Sequence, residues 1–223
     1  MTPAVIRTNL VNFMAIAFFA TMEVSCGTTN QISSQKMIAH KPNDSILADR
    51  DGNRYTTKAF SDNNLWMTSN LNTNIPDSYC YNDSEVNCKR YGRLYTWEAA
   101  QKGCSLLGEG WRLPTKDDWQ RLAGLYGDTA KDSVEIRKIA YQALLFTGAS
   151  QFYALLGGGR APDGEYARLE AHGFYWTATE NDSSTAGFAN FAKGSQSLYH
   201  QTDGEKTMAF SVRCIKSTDS LKY

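Results

Sequence analysis

Apolar residues recur at helical spacing in three segments of the chain, at residues 92–103, 115–127 and 129–146. Two or three helices are therefore predicted there. Thr115 is the expected N-cap of the second segment, because its hydroxyl can accept a backbone hydrogen bond and two aspartates follow in the first turn. Gly103 and Gly127 are expected to end the first two helices. The third is expected to bury Ile136, Ile139, Ala140 and Ala143.

From residue 152 onwards, short apolar runs separated by turn residues replace the helical spacing. Strands are predicted at residues 152–156, 174–179, 187–192, 197–201 and 208–215, and two earlier ones at 54–58 and 65–67. Turns are predicted at Pro162-Asp163-Gly164 and Asp203-Gly204. Because most helices precede most strands, the order favours an α+β domain with antiparallel strands over a parallel α/β sheet.

The N-terminal pattern is different and predicts export. Residues 11–22 form an apolar run preceded by a single charge, Arg7. This run is too short for a membrane-spanning helix, which needs about 20 residues. Residues 1–25 are therefore interpreted as a signal peptide, and a buried N-terminal helix is the alternative.

Ser25-Cys26-Gly27 at the end of that run resembles the cleavage site of bacterial lipoproteins. The resemblance implies cleavage before Cys26 and a lipid on its sulfur, although Glu23 stands where an apolar residue is usual. Residues 26–48 are predicted to be a lipidated, flexible tether, residues 49–217 the folded domain and residues 218–223 a C-terminal tail. The expected location is the bacterial cell envelope, with a lipid anchor in the outer membrane.

Composition agrees with one exported globular domain. Hydrophobic residues make up 42% of the 223 positions, and 23 basic residues balance 23 acidic ones, so nothing suggests a nucleic-acid partner. Once Cys26 is set aside, four cysteines remain, an even number that predicts two disulfides with three possible connectivities. The simplest joins Cys80 to Cys88 and Cys104 to Cys214. A zinc site is the rival interpretation, but the four cysteines include no CxxC pair.

Motifs for catalysis or cofactor binding are weak in this sequence. Gly157-Gly158-Gly159-Arg160 lacks the Lys-Ser/Thr of a phosphate-binding loop, and no GxSxG is present. His40, His172 and His200 are far apart, so no metal and no cofactor is predicted. The candidate ligand-binding residues are an aromatic pair and two oxygen-bearing residues that a sugar-binding lectin would use around calcium. These four are Tyr175, Trp176, Asn181 and Asp182.

An ordered set of motifs resembles the Fibrobacter succinogenes major paralogous domain family. The motifs run from residue 49 to 216 and include Asp51-Gly52, Leu65-Trp66-Met67, Asn70-Leu71-Asn72, Cys80-Tyr81, Tyr91-Gly92-Arg93-Leu94-Tyr95-Thr96-Trp97, Gly110-Trp111-Arg112-Leu113-Pro114-Thr115, Phe174-Tyr175-Trp176-Thr177 and Ser211-Val212-Arg213-Cys214. Arg112-Leu113-Pro114-Thr115 with Trp119 is also similar to formylglycine-generating enzymes. These resemblances imply a compact, irregular, C-type-lectin-like α+β fold whose two ends meet.

The resemblance to formylglycine-generating enzymes does not bring their chemistry with it. Those enzymes use two reactive cysteines that bind copper, whereas Cys214 has no other cysteine within a hundred residues before it. We therefore expect a non-catalytic binding module for a glycan or protein ligand. The alternative is an envelope enzyme acting on glycans or peptides through carboxylates that the sequence does not pair.

Overall fold

The computed structural model describes residues 44–127 and 134–218. This part of the chain combines helices with mainly antiparallel strands, which confirms the α+β class. None of its helices is both long and apolar enough to cross a membrane. The helices are α1 (Glu85–Tyr91), α2 (Trp97–Ser105), α3 (Lys116–Gly124) and α4 (Val134–Leu144). The strands are β1 (Asp44–Ala48), β2 (Arg54–Ala59), β3 (Asn64–Met67), β4 (Ser78–Tyr79), β5 (Leu94–Tyr95), β6 (Gly157–Arg160), β7 (Tyr166–Leu169), β8 (His172–Glu180), β9 (Thr185–Ala192), β10 (Ser197–Glu205) and β11 (Ile215–Ser217).

The strands form two larger sheets and one short pair. The first sheet has the order β1-β2-β3-β11, the second has the order β10-β9-β8-β6-β7, and β4 pairs with β5. Strand β11 runs antiparallel to β3 and places Ile215 opposite Trp66. The end of the domain therefore lies beside its beginning.

The folded domain begins earlier than the sequence predicts. Strand β1 pairs antiparallel with β2 from Asp44 opposite Lys58 to Ala48 opposite Arg54, so the last five residues of the predicted 26–48 tether belong to a sheet. Leu47 packs against the core, which explains why the segment is ordered. The predicted signal peptide, Cys26 and residues 219–223 lie outside the described residues.

Strand β8 separates the two main hydrophobic clusters, because successive side chains of a strand point to opposite faces. Trp176 faces one cluster with Phe210, and Tyr175 faces the other with Trp119. All five tryptophans of the chain are at most 9% exposed. The tryptophans therefore belong to the core.

One predicted helix boundary and one predicted set of buried residues are wrong, for different reasons. Gly103 does not end α2 but lies within it, where a Cβ atom would come within 2.7 Å of the Leu71 side chain. A glycine at this position allows the Leu71 side chain to pack closely against the helix backbone. The predicted buried face of α4 is also partly wrong, since Ile139 is 39% exposed while Tyr141 and Leu144 are buried. Helix α1 was not predicted, because seven residues with two buried positions show too little periodicity.

The predicted turn at Asp203-Gly204 is wrong as well. Strand β10 continues through both residues to Glu205, with an irregularity in its pairing between Gln201 and Gly204. A Cβ at Gly204 would lie 2.7 Å from the Trp176 ring and 2.8 Å from Phe188. The glycine is explained by aromatic rings that pack directly on the backbone.

Both predicted disulfides are present in the structure. Cys80 bonds to Cys88 across eight positions, and Cys104 of α2 bonds to Cys214, 110 positions away and immediately before β11. The longer bridge ties a helix of the first half to the final strand. In the chain-entropy picture a loop of that length contributes about 4–5 kcal/mol to stability.

Candidate functional site

Two of the four predicted ligand-binding residues are core residues, so that prediction is wrong for them. Tyr175 and Trp176 are fully buried in β8, which has β9 on one side and β6 on the other. The Tyr175 hydroxyl donates to the Leu155 carbonyl at 2.8 Å, and Trp176 Nε1 donates to the Tyr95 carbonyl at 2.8 Å. Their polar atoms are therefore already engaged inside the protein.

The other two predicted residues, Asn181 and Asp182, are exposed in the turn between β8 and β9. Asp182 Oδ1 accepts hydrogen bonds from the backbone N–H groups of Ser184 and Thr185, each at 2.8 Å. These hydrogen bonds, first of all the one from Ser184, hold the pKa of Asp182 well below its usual range. Asn181 Nδ2 donates to Thr185 Oγ1 at 2.9 Å. Both side chains serve the turn itself.

The described residues bring together one group of three potential metal ligands, Cys80, Glu85 and Cys88. The two sulfurs are joined in the disulfide, and metal binding requires free thiolates. His172 does not belong to this group. Its Nδ1 lies 2.9 Å from Asn190 Oδ1 and its ring stacks on Phe174, which is a structural role.

A surface groove of about 300 Å³ lies between β2, the segment that follows β3 and the end of α1. We call it the amide groove, because Asn53, Asn70 and Asn72 line it. Asn70 and Asn72 flank the buried Leu71 in the segment that follows β3, and both line the groove. Gly92 allows α1 to end against this segment, since its φ is +77° and a Cβ there would lie 2.7 Å from the Asn70 side chain.

The floor of the amide groove is fixed by buried hydrogen bonds. Asn70 Nδ2 donates to the Tyr91 carbonyl at 2.7 Å, and Asn70 Oδ1 accepts from Arg213 Nε at 2.6 Å. Tyr91 donates to Glu170 at 2.7 Å. Burial, together with that hydrogen bond, raises the pKa of Tyr91 to about 12, so its hydroxyl remains protonated.

Two polar atoms of the amide groove have no partner. Ser69 Oγ and Asn72 Oδ1 are buried and make no hydrogen bond within the described part of the chain. A buried polar atom without a partner costs about 1–3 kcal/mol, so such atoms are uncommon unless a ligand or water completes them. At the rim of the groove lie three cationic side chains, Arg54, Lys89 and Arg90.

A second, larger cavity of about 560 Å³ lies between α3, α4 and β10, and we call it the α3–β10 cavity. Its position depends on α3, whose first turn is held by a capping box between Thr115 and Asp118. The apolar part of its lining comprises Ala123, Ile136, Ala140 and Leu198. The polar part comprises Lys116, Asp117, Gln120, Arg121, Arg137, Tyr199 and His200.

The sequence did not single out the lining of either cavity as a site. For the amide groove the available signal is the run Asn70-Leu71-Asn72, in which two amides flank a buried leucine. The contribution of Asn53 comes from a different strand segment, which only the fold brings near. The lining of the α3–β10 cavity comes from three separate elements, and the residue spacing within any one of them does not indicate a binding site.

Comparison with known proteins gives one match. The family model of the Fibrobacter succinogenes major domain matches residues 53–216. No curated protein and no solved structure shows a significant match. The matched range contains both disulfides and the principal elements of both cavities. It also contains nine of the eleven described strands completely and β11 up to Lys216, whereas β1 lies outside it. Because that range covers most of the 223-residue chain, the chain belongs to the Fibrobacter succinogenes major domain family.

Proposed function

We propose that this chain is a non-catalytic binding module of the bacterial cell envelope and that its amide groove binds a glycan. The observation that carries the proposal is the presence of two unpartnered polar atoms, Ser69 Oγ and Asn72 Oδ1, in a groove lined by three asparagines. Hydroxyl groups of a sugar both donate and accept, so they complete such a set of amide and hydroxyl groups. A protein ligand is the competing outcome of the test below.

The hydrogen-bonding side chains of the groove suit a polyhydroxylated ligand. Its lining contains asparagine, serine and tyrosine side chains together with Arg54, Lys89 and Arg90, and it contains no carboxylate among the described residues. Arg90 is already paired with Glu170 at 2.9 Å and lies over the Tyr91 ring. Sugar recognition of this kind depends on directional hydrogen bonds at a preformed surface.

The alternative function, an envelope enzyme acting on glycans or peptides, would need two carboxylates facing one cleft. Within residues 44–127 and 134–218, the lining of the amide groove has none, and the lining of the α3–β10 cavity has one, Asp117. Asp118, next in sequence, is fully buried in an arginine cluster. The contents of the two cavities therefore support binding over hydrolysis.

Export and lipidation at Cys26 are part of the same proposal. Two disulfides are expected in a protein that folds in an oxidising compartment, and they support export. The test is the substitution Cys26→Ala, which should abolish lipid attachment and release the protein from the outer-membrane fraction. Unchanged mass and unchanged membrane partition would refute the lipid anchor.

We also propose that the fold is of the C-type-lectin-like kind. The pairing of β11 with β3 and the disulfide between α2 and the final segment support it, because both bring the two ends of the domain together. An experimentally determined structure tests this proposal. A superposition in which the order of paired strands differs from that of C-type lectins would refute it.

The binding test uses the full chain in detergent on an array of glycans and peptides, with two variants. Ser69→Ala combined with Asn72→Ala removes both unpartnered polar atoms, so binding should fall at least tenfold. The same double variant should be as stable as the wild type or more stable, because deleting an unsatisfied buried polar atom removes its desolvation cost.

The matched control is Asn74→Ala, an exposed asparagine two positions along that does not line the groove. It should bind like the wild type. Binding to peptides alone would assign a protein ligand in place of a glycan. Equal loss of binding in the control, or none in the double variant, would remove the amide groove from the proposal.

A further inference from the structure

We propose that the α3–β10 cavity is a second binding site and that it takes an acidic sugar, a ring that carries a carboxylate. The cavity is separate from the amide groove and shares no lining residue with it. The proposal does not rest on binding at the groove. It follows from the charge of the cavity walls, the chemistry of the cavity floor and the cavity size.

The walls of the cavity are cationic although the whole chain is neutral. Among the residues that the structure describes, Lys116, Arg121 and Arg137 line the cavity together with one carboxylate, Asp117, whereas the chain has equal numbers of basic and acidic residues. The basic side chains come from two helices that meet at this cavity. A concave site lined mainly by one sign of charge attracts a ligand of the opposite sign.

The buried carboxylate nearby does not cancel this charge. Asp118 is completely buried and pairs with both Arg112 and Arg121. One negative charge thus faces two positive charges, and both guanidinium groups are about half exposed. Asp118 therefore neutralises at most one of the two guanidinium groups, of which Arg121 lines the cavity.

Tyr199 lies beside one of the cationic groups of the cavity. Its pKa is lowered, first by hydrogen bonding with Ser195 and Ser197 and then by the charges of Arg137 and Lys138. The Arg137 guanidinium lies 5.4 Å from the centre of the Tyr199 ring. The Tyr199 ring and the Arg137 guanidinium therefore lie together in the lining of the cavity. The guanidinium can bind a carboxylate while the aromatic ring packs against the sugar ring.

Size and floor distinguish a sugar from a protein surface or a bare ion. The volume of about 560 Å³ is within the range of small-ligand pockets, whereas a protein partner needs roughly 800 Å² of surface on each side. Ala123, Ala140 and Leu198 form an apolar floor that suits the C–H face of a sugar ring. An inorganic ion would leave that floor uncovered.

The test compares two disaccharides by titration calorimetry on the full chain in detergent. The two disaccharides have the same sugar rings. Digalacturonic acid carries a carboxylate on each ring where galactobiose carries a hydroxymethyl group. We expect the wild type to bind digalacturonic acid at least tenfold more tightly, with an affinity that falls as salt is added. The double variant Lys116→Gln and Arg137→Gln should lose at least tenfold in that affinity and keep the wild-type unfolding temperature within a few degrees.

The matched control is Lys102→Gln, an exposed lysine of α2 outside the cavity, which should bind like the wild type. Equal affinity for the two disaccharides, no measurable binding of digalacturonic acid, or equal loss in the control would overturn the proposal. Equally tight binding of inorganic phosphate, or of an acidic peptide, would overturn the assignment to a sugar. The Ser69→Ala and Asn72→Ala variant separates the two sites, since it should leave this binding unchanged.

Discussion

Asp118 at the start of α3 and Arg213 before β11 are both completely buried, and the fold compensates their charges in opposite ways. Asp118 is held by two cationic side chains and by a backbone N–H at the start of its own helix. It accepts hydrogen bonds from Arg112 at 2.6 Å and from the backbone N–H of Thr115 at 2.8 Å, and it also pairs with Arg121. Each partner lies within six positions in sequence.

Arg213 has no carboxylate partner among the described residues and is held by neutral oxygens instead. Its Nε donates to Asn70 Oδ1 at 2.6 Å, one terminal nitrogen donates to the carbonyls of Phe152 and Met67, and the other donates to the Tyr153 carbonyl at 2.6 Å. The partners are 60 to 146 positions away in sequence. Burial lowers the pKa of Arg213, yet guanidinium stays charged in proteins.

The comparison shows that one buried charge completes a local motif while the other joins distant parts of the chain. The guanidinium of Arg213 links the segment after β3 to the loop before β6. In that loop, Gln151 and Tyr153 have left-handed backbone angles, with φ of 62° and 59°. Such angles cost roughly 1–3 kcal/mol each for residues other than glycine. Hydrogen bonds from Arg213 to the carbonyls of this loop offset part of that cost.

The largest expected effect comes from removing the long-range charge. Arg213→Met should destabilise the domain by at least about 5 kcal/mol, because four acceptors in the interior lose their donor and the left-handed loop loses its support. Urea denaturation measures this loss. The exposed arginine variant Arg90→Met is the control and should stay within about 1 kcal/mol of the wild type. A loss below about 1 kcal/mol in Arg213→Met would show that the neutral oxygens are satisfied without it.

Trp119 lies between the two regions and should give the next largest effect. It follows Asp118 in α3, and its ring lies 5.6 Å from Phe152, which in turn lies under the Arg213 guanidinium. Trp119→Ala should cost about 3–5 kcal/mol, as expected for a fully buried tryptophan. The exposed neighbour Gln120→Ala provides the control in the same denaturant titration. A cost below about 1 kcal/mol would contradict the core role of Trp119.

The two regions also differ in how far the sequence predicts them. The N-cap at Thr115 was predicted and is confirmed, because a cap depends on residues three positions apart. The strand predicted at 208–215 is wrong for most of its length, because β11 begins only at Ile215. Its apolar alternation still holds, since Phe210, Val212 and Cys214 belong to one cluster. The same alternation placed Arg213 on the other face, but nothing local indicated that this face would be buried.

The candidate sites show the same limit. Tyr175 and Trp176 were predicted as ligand residues, but sequence alone does not show that β8 would be covered on both faces. Ser69 and Asn72 were missed as a site, since an unpartnered polar atom exists only in relation to the atoms around it. The predicted strand at 152–156 is wrong for a related reason. Its second residue, Tyr153, adopts a left-handed backbone angle, and the distant Arg213 donates to its carbonyl.

The ion cluster of Asp118 should have a smaller effect than Arg213, and its effect should depend on pH. Burial alone raises the pKa of Asp118, but hydrogen bonds from Arg112 and Thr115 outweigh it and lower the pKa from 3.8 to about 2. A lowered pKa stabilises the fold above pH 4, and that stabilisation, about 2 kcal/mol, is lost as the pH falls from 4 to 2. Asp118→Asn should remove this part of the acid dependence.

Stability measured in urea between pH 2 and pH 7 tests this prediction. Asp117→Asn, the exposed neighbour in the same helical turn, is the control and should keep the wild-type acid dependence. Parallel curves for Asp118→Asn and the wild type across that range would contradict the proposed role of the carboxylate. Arg213→Met should run parallel to the wild type between pH 2 and pH 7, because guanidinium does not titrate there.

The smallest expected effect separates the cap from the ion cluster within α3. Thr115 Oγ1 accepts from the Asp118 N–H at 3.2 Å and donates to the Asp118 carboxylate at 2.8 Å. Thr115→Ala should therefore cost about 1 kcal/mol, since it removes the cap while both arginines still hold Asp118. Thr96→Ala is a closely matched control. Thr96 is the N-cap of α2, but its side chain makes no capping hydrogen bond, so its loss should cost far less. Equal costs for the two threonines in the same denaturant titration would show that the hydroxyl of Thr115 adds nothing to the charge compensation of Asp118.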